Sequence, residues 1–187
     1  MALSVADDSE IEQVAELVNA SYRGEGGWTN EIGNVDGVRT SARALRAELA
    51  AQPNSRLLVL RVEAKGPIQC CVWLEPSEHG PWYLGLLSVH PHCQDQKLGR
   101  TVLAEAEAYA LARGATGIRM SVVNVRDTLI AWYQRRGYRL TGETTPFPYD
   151  DTRFGTPLRD DLSFVVLEKK FDERLARTRC RYATTGR

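Results

Sequence analysis

Cysteine, histidine and methionine are scarce in this 187-residue chain, with four, three and two copies. So few cysteines exclude a disulfide-dense secreted scaffold. Cys70 and Cys71 are adjacent, so on a strand they point to opposite faces and cannot pair with each other. Free thiols in a reducing compartment are the expectation. No Cys/His array has zinc-site spacing, and His90 and His92 form an isolated pair, so no metal is expected. An excess of charge of one sign is also missing, since 24 Lys+Arg balance 24 Asp+Glu. The broad basic field of a non-specific nucleic-acid binder is therefore absent. No apolar run reaches the ~18 residues of a membrane span. The first twelve residues hold four acids and no base, opposite to an export or transit signal. A cytoplasmic location without nucleic-acid or membrane partners is expected.

Hydrophobic residues make up 43% and charged residues 26%, the balance of a globular domain. Ala2–Ala6 is a short apolar run that suits a first strand. Ser9-x-x-Glu12 is a capping box, and Ile11, Val14, Ala15 and Val18 behind it predict a helix from about Glu10 to Tyr22. Arg23–Val38 reads as a loop, and Ser41–Ala51 as a second helix. Arg56–Glu63, Ile68–Leu74 and Trp82–Val89 form a predicted antiparallel meander, with Gly66-Pro67 and Glu78–Pro81 as its turns. Leu98–Arg113 is an apolar-faced helix with Gly114 placed to end it. A strand at Ile118–Val123, a short helix at Thr128–Arg136 and strands at Tyr138–Gly142 and Leu162–Phe171 complete the order. Glu143–Asp161 reads as a long polar loop. The expected fold is α/β of the α+β type: a mixed, largely antiparallel sheet of six or seven strands flanked by about four helices. Residues 1–171 are read as one domain. Residues 172–187 carry five arginines and read as an extension.

Two stretches carry the chemistry. Val89-His90-Pro91-His92-Cys93-Gln94-Asp95-Gln96-Lys97-Leu98-Gly99-Arg100 runs from a strand through a tight turn into the third helix. N–H groups at such a turn, with the helix dipole, suit a pyrophosphate, although an ordinary connection looks the same. Downstream lie Asn124, then Leu129, Tyr133, Gly137 and Tyr138. Together these resemble the GNAT superfamily of acyl-CoA-dependent N-acetyltransferases. That family's loop reads V-x-P and then (Q/R)-x-x-G-x-(G/A), and its later signature is an Asn at a strand end followed by Tyr-x-x-x-Gly-(Phe/Tyr). Lys97 departs from the pattern, standing where the first glycine is usual; it is tolerable if its φ stays negative. Asp95 is a second oddity beside a diphosphate.

The resemblance implies acetyl-CoA as co-substrate and transfer of its acyl group to a primary amine by direct attack in a ternary complex. Backbone of Leu87 and Val89 would bond the pantetheine arm. N–H groups of Gln94, Asp95, Gln96, Lys97, Leu98, Gly99 and Arg100 would hold the diphosphate. Asn124 would also meet the arm, and Tyr133 would protonate the leaving thiolate. By spacing alone Tyr133 is a core residue and Asn124 a turn cap, while Trp132, Arg135 and Arg136 read as solvated face or packing. The acceptor side would draw on Trp28 and Glu31 in the first loop, Tyr83 on the central strand and Tyr149 in the late loop. The mix of acidic and aromatic groups there suits a cationic small-molecule or peptidyl amine. No carboxylate stands on the central strand to act as base, so a water relay is expected. A catalytically weak CoA-binding sensor with the same fold is the alternative, and a homodimer is left open.

Overall fold

The computed structural model describes residues 2–27, 29–63, 66–94, 96–151 and 155–172. Nine strands are found among them: β1 (Ser4–Val5), β2 (Val35–Asp36), β3 (Arg56–Leu60), β4 (Cys70–Glu75), β5 (Trp82–Val89), β6 (Gly117–Val123), β7 (Arg139–Pro146), β8 (Thr156–Pro157) and β9 (Ser163–Lys170). Four α-helices accompany them: α1 (Ile11–Arg23), α2 (Ala42–Ala51), α3 (Leu98–Leu111) and α4 (Asp127–Gln134). Seven strands form one sheet in the order β1-β3-β4-β5-β6-β9-β7, and β2 pairs with β8. Only β5 and β6 run parallel, joined through α3.

Both faces of the sheet are covered, which explains the unbroken apolar run of β3. Leu57 and Val59 face α1 and α2, with Ile11, Val14, Val18 and Leu45. Leu58 and Leu60 face the other layer, with Val102, Ala106, Ile118 and Tyr138. Cys70 and Cys71 divide between the same two layers and are free thiols, as the alternation predicts. Gly114 ends α3 with φ +90, where a side chain would be strained.

The expected elements differ in three places. The cap of the first helix is Asp7, not Ser9: its side chain accepts from the Ser9 N–H, and Glu10 reaches back to the Asp7 N–H at 2.9 Å. A single 3-10 turn at Asp8–Glu10 starts the winding early. The polar stretch after Gly142 is not one loop. Gly142 takes φ +86 at a register shift, and β7 continues to Pro146 as a wholly exposed edge strand. Such a strand has no buried face, so it carries no alternation to read. The two loops meet as β2 and β8, with Val35 opposite Pro157 and Asp36 opposite Thr156.

The feature that positions the site is a bulge in β5. Cys71 pairs with Ser88 but Trp73 pairs with Gly85, so Val72 faces two residues, Leu86 and Leu87. Leu86 takes φ +48, and its carbonyl accepts from the Ser88 hydroxyl at 3.1 Å. The β5–β6 ladder covers only Trp82 with Ile118 and Tyr83 with Arg119. Beyond it the two strands splay, and β5 from Leu84 to Val89 presents an open edge.

Candidate active site

Two clefts occupy the splay, and they meet. One, about 390 Å³, lies between the end of β5, the start of α3 and α4. The other, about 480 Å³, lies between β5, β6 and the loop carrying Glu31. Tyr22, Leu87, Arg126, Leu129 and Tyr133 line both, so these five residues form the throat.

The first cleft gathers most of the residues assigned to the cofactor. Leu87, Val89, Gln94, Lys97, Leu98, Gly99, Arg100 and Tyr133 all line it. Gln96 is exposed and lines neither cleft, and Asp95 lies outside the described residues. Among the described residues, lysine and arginine supply four that line it, Lys97, Arg100, Arg126 and Arg136, and no carboxylate does. Lys97 has φ +62, not the negative value expected. It keeps the left-handed backbone that a glycine would have taken there, at a cost of roughly 1 kcal/mol. Its carbonyl accepts from Arg100 and Thr101, which starts α3 and aims the first N–H groups of the helix at the cleft.

The His90 N–H donates to Gln69 on the β4 side at 2.8 Å, so the peptide groups of Val89 face the open edge. The Val89 carbonyl is already taken: the Ser21 hydroxyl donates to it at 3.0 Å and the Gln94 amide at 3.3 Å. Its N–H is the group left to face a ligand. Asn124 is placed elsewhere. Its amide donates to Asp161 at 2.9 Å and accepts from Ser163 at 3.0 Å, and it lines neither cleft. It ties the end of β6 to the start of β9.

Tyr133 is 5% exposed, packed edge-on against Trp132 and Tyr138. Burial pushes its phenol well above the usual range, against the pull of Arg126 and Arg136. The hydroxyl therefore stays protonated, the state of a proton donor. It makes no hydrogen bond among the described residues. Its neighbour Tyr138 differs: that hydroxyl donates to Glu107 at 2.9 Å, and Lys169 holds the same carboxylate.

For Arg136, read as solvated face or packing, the structure shows packing. Its guanidinium lies 3.4 Å from the centre of the Trp132 ring and donates to the Trp132 carbonyl at 2.6 Å. Its buried Nε has no partner among the described residues. Burial, Arg135 and Arg100 together disfavour its charge, a tension that a bound anion would relieve. Leu129, Trp132 and Tyr133 on α4 and Arg136 just past its end are spaced i, i+3, i+4 and i+7, and that stripe was the signal available in the sequence.

Of the residues read as acceptor contacts, Glu31 and Tyr83 line the second cleft. Glu31 is 7% exposed, and its carboxylate is shared by Arg23 and Arg126, so it is committed within the protein. Tyr149 does not line the cleft. Its hydroxyl accepts from the Leu162 N–H at 2.7 Å and its ring packs on Phe147. The late loop contributes Phe147 instead, stacked on Phe164. Trp28 lies outside the described residues. Glu48 and Glu75 also line this cleft, together with Arg39. Among the described residues no group of His, Cys, Asp and Glu is arranged to hold a metal ion.

The acetyltransferase (GNAT) family model matches residues 12–138. The chain belongs to the GNAT acetyltransferase family. A search of curated proteins finds no match. Solved GNAT structures share the fold. A ribosomal-protein-alanine N-acetyltransferase from Brucella melitensis superposes with TM-score 0.65 at 17% identity, over 91% of this chain and all of that one. A GNAT acetyltransferase from Elizabethkingia anophelis, solved with acetyl-CoA bound, gives 0.56 at 18% identity over 66% of this chain and 82% of its own. The seven-stranded sheet with its parallel β5–β6 pair is thus the GNAT fold, and membership supports acetyl transfer. No described helix is long and apolar enough to cross a membrane.

Proposed function

We propose that this GNAT protein transfers an acetyl group from acetyl-CoA to a primary amine of a small molecule or peptide, by direct attack in a ternary complex. One observation carries the reading: a proton-loaded phenol, Tyr133, stands where a cleft lined by cations and, among the described residues, no carboxylate meets a cleft of mixed charge. The first cleft suits a polyphosphorylated co-substrate. Lys97, Arg100, Arg136 and the N-terminus of α3 supply its charge complement. The open edge of β5 at Leu87 and Val89 suits the amide-bearing arm, which would add like a strand. An N–H on that edge would also hold the thioester oxygen as charge develops. Tyr133 would protonate the departing sulfur. Glu48 and Glu75 favour a cationic acceptor, which loses a proton to water before attack. The free thiols Cys70, Cys71 and Cys93 and the proposed co-substrate support a cytoplasmic setting.

A second reading, a CoA-binding sensor with weak transfer, is favoured by the throat itself: none of its five residues is a carboxylate or histidine that could serve as base. One experiment separates the two. Thiol release from acetyl-CoA is followed with tyramine, spermidine, lysine methyl ester and an alanine-initiated peptide. Turnover on any of them, lost in Tyr133→Phe, supports the transferase. Thermal stabilisation by CoA with no turnover on any acceptor supports the sensor.

A further inference from the structure

Of the five throat residues, two are apolar, two are phenols and one, Arg126, carries a charge. Its side chain is 9% exposed. One Nη donates to Glu31 at 3.2 Å and the other to the Thr29 carbonyl, so a single guanidinium grips the loop of the acceptor side at two points. Arg23, at the end of α1, holds the same carboxylate and donates to Gly37 at 3.0 Å. Arg126 also occupies the cap position of α4, seven residues before Tyr133. Two helical turns place Arg126, Leu129 and Tyr133 on one face. The residue that anchors the acceptor loop is therefore built into the helix that aims the phenol.

We propose that Arg126 is a positioning residue for the transfer: it locks the loop at Thr29–Glu31 to α4 and offsets the negative charge that Tyr133 acquires on giving up its proton. The inference rests on the N-acetyl transfer proposed above. In that step the amine nitrogen bonds to the thioester carbon and the carbon–sulfur bond breaks. The sulfur takes the proton of the Tyr133 phenol. The proton lost by the nitrogen returns through water to the phenolate, so no oxidant or further reactant is needed. Phenolate in a buried site is costly, and a cation held at the same throat lowers that cost. The fork matters as well as the charge: a lysine could keep the cation but could not hold the carboxylate and the carbonyl in the same fixed geometry.

The test is a double-mutant cycle on the intact chain, read as kcat for thiol release. The acceptor is whichever amine of the panel above turns over fastest, or water if none does. Tyr133→Phe and Arg126→Gln should each lower kcat by about 30-fold or more, while the Kd for CoA moves by less than about threefold. The double variant should lose less than the product of the two single losses, because the part of Arg126 that acts by charge acts through the phenol. Arg126→Lys should recover part of the loss, and it takes the place of Arg126→Gln in the cycle should that variant not fold. Multiplying losses, or full kcat in Arg126→Gln, would overturn the assignment. Full activity in Tyr133→Phe, or no thiol release from the parent on any amine or water, removes the underlying transfer reading instead.

Discussion

Tyr133 and Tyr138 sit with ring centres 5.6 Å apart, yet opposite outcomes are expected when each loses its hydroxyl. Tyr138 is 1% exposed and donates to the Glu107 carboxylate at 2.9 Å. A hydrogen bond to a charged acceptor contributes about 1.5–3 kcal/mol. Glu107 keeps Lys169 at 2.6 Å, so Tyr138→Phe should cost the lower end of that range. For a chain of this size about 1.5 kcal/mol is roughly 3–6 °C in Tm. Activity below the melting range should stay within about twofold of the parent, because the Tyr138 hydroxyl lines neither cleft. The Tyr133 hydroxyl has no partner among the described residues, so Tyr133→Phe should leave Tm within about 1 °C or raise it slightly. Its kcat should fall by about 10²–10⁴, the usual contribution of a positioned acid. Differential scanning fluorimetry and thiol-release kinetics on the two variants side by side read both quantities. The reasoning fails if Tyr133→Phe melts several degrees lower with unchanged kcat, because the phenol is then packing.

Two further outcomes follow from the geometry. Lys97→Gly should relieve the left-handed backbone at φ +62. With glycine's extra unfolded-state entropy the net gain is about 0–1 kcal/mol, while CoA binds about two- to fivefold more weakly for want of the cation. Denaturant melts and calorimetry check this, and a loss of stability above about 1 kcal/mol would show that the side chain holds the turn. Asn124→Ala should cost about 1–2 kcal/mol by breaking the tie to Asp161 and Ser163, without changing CoA affinity. Weaker CoA binding at constant Tm would return Asn124 to the cofactor site.

The central part of the fold was legible because its residues repeat with the period of their element. β3, β4 and β5 are apolar runs bounded by Gly-Pro turns, and α3 shows a clean buried face ended by Gly114. The edge was not legible: β7 is polar and exposed throughout, and β2 and β8 are two residues each, held by each other. Within the site, Gln94, Lys97, Leu98, Gly99 and Arg100 line one cleft because the turn before α3 is local, whereas the left-handed backbone of Lys97 was not legible from its residue type. Glu31, Arg126 and Tyr22 could be brought together only by the splay of β5 from β6, which follows from a one-residue bulge at Leu86 that no residue type announces. Arg135 and Arg136 are indistinguishable as letters. Only the α4 stripe through Leu129 and Tyr133 separates the one that enters the cleft from the one that does not.

Titration of CoA into the purified protein by calorimetry bears most directly on the cation-lined cleft beside Tyr133. Saturable one-to-one binding is expected, weakened about tenfold or more when Arg100 and Arg136 are both replaced by glutamine. Absence of heat with the folded parent, or equal affinity in parent and double variant, would contradict it.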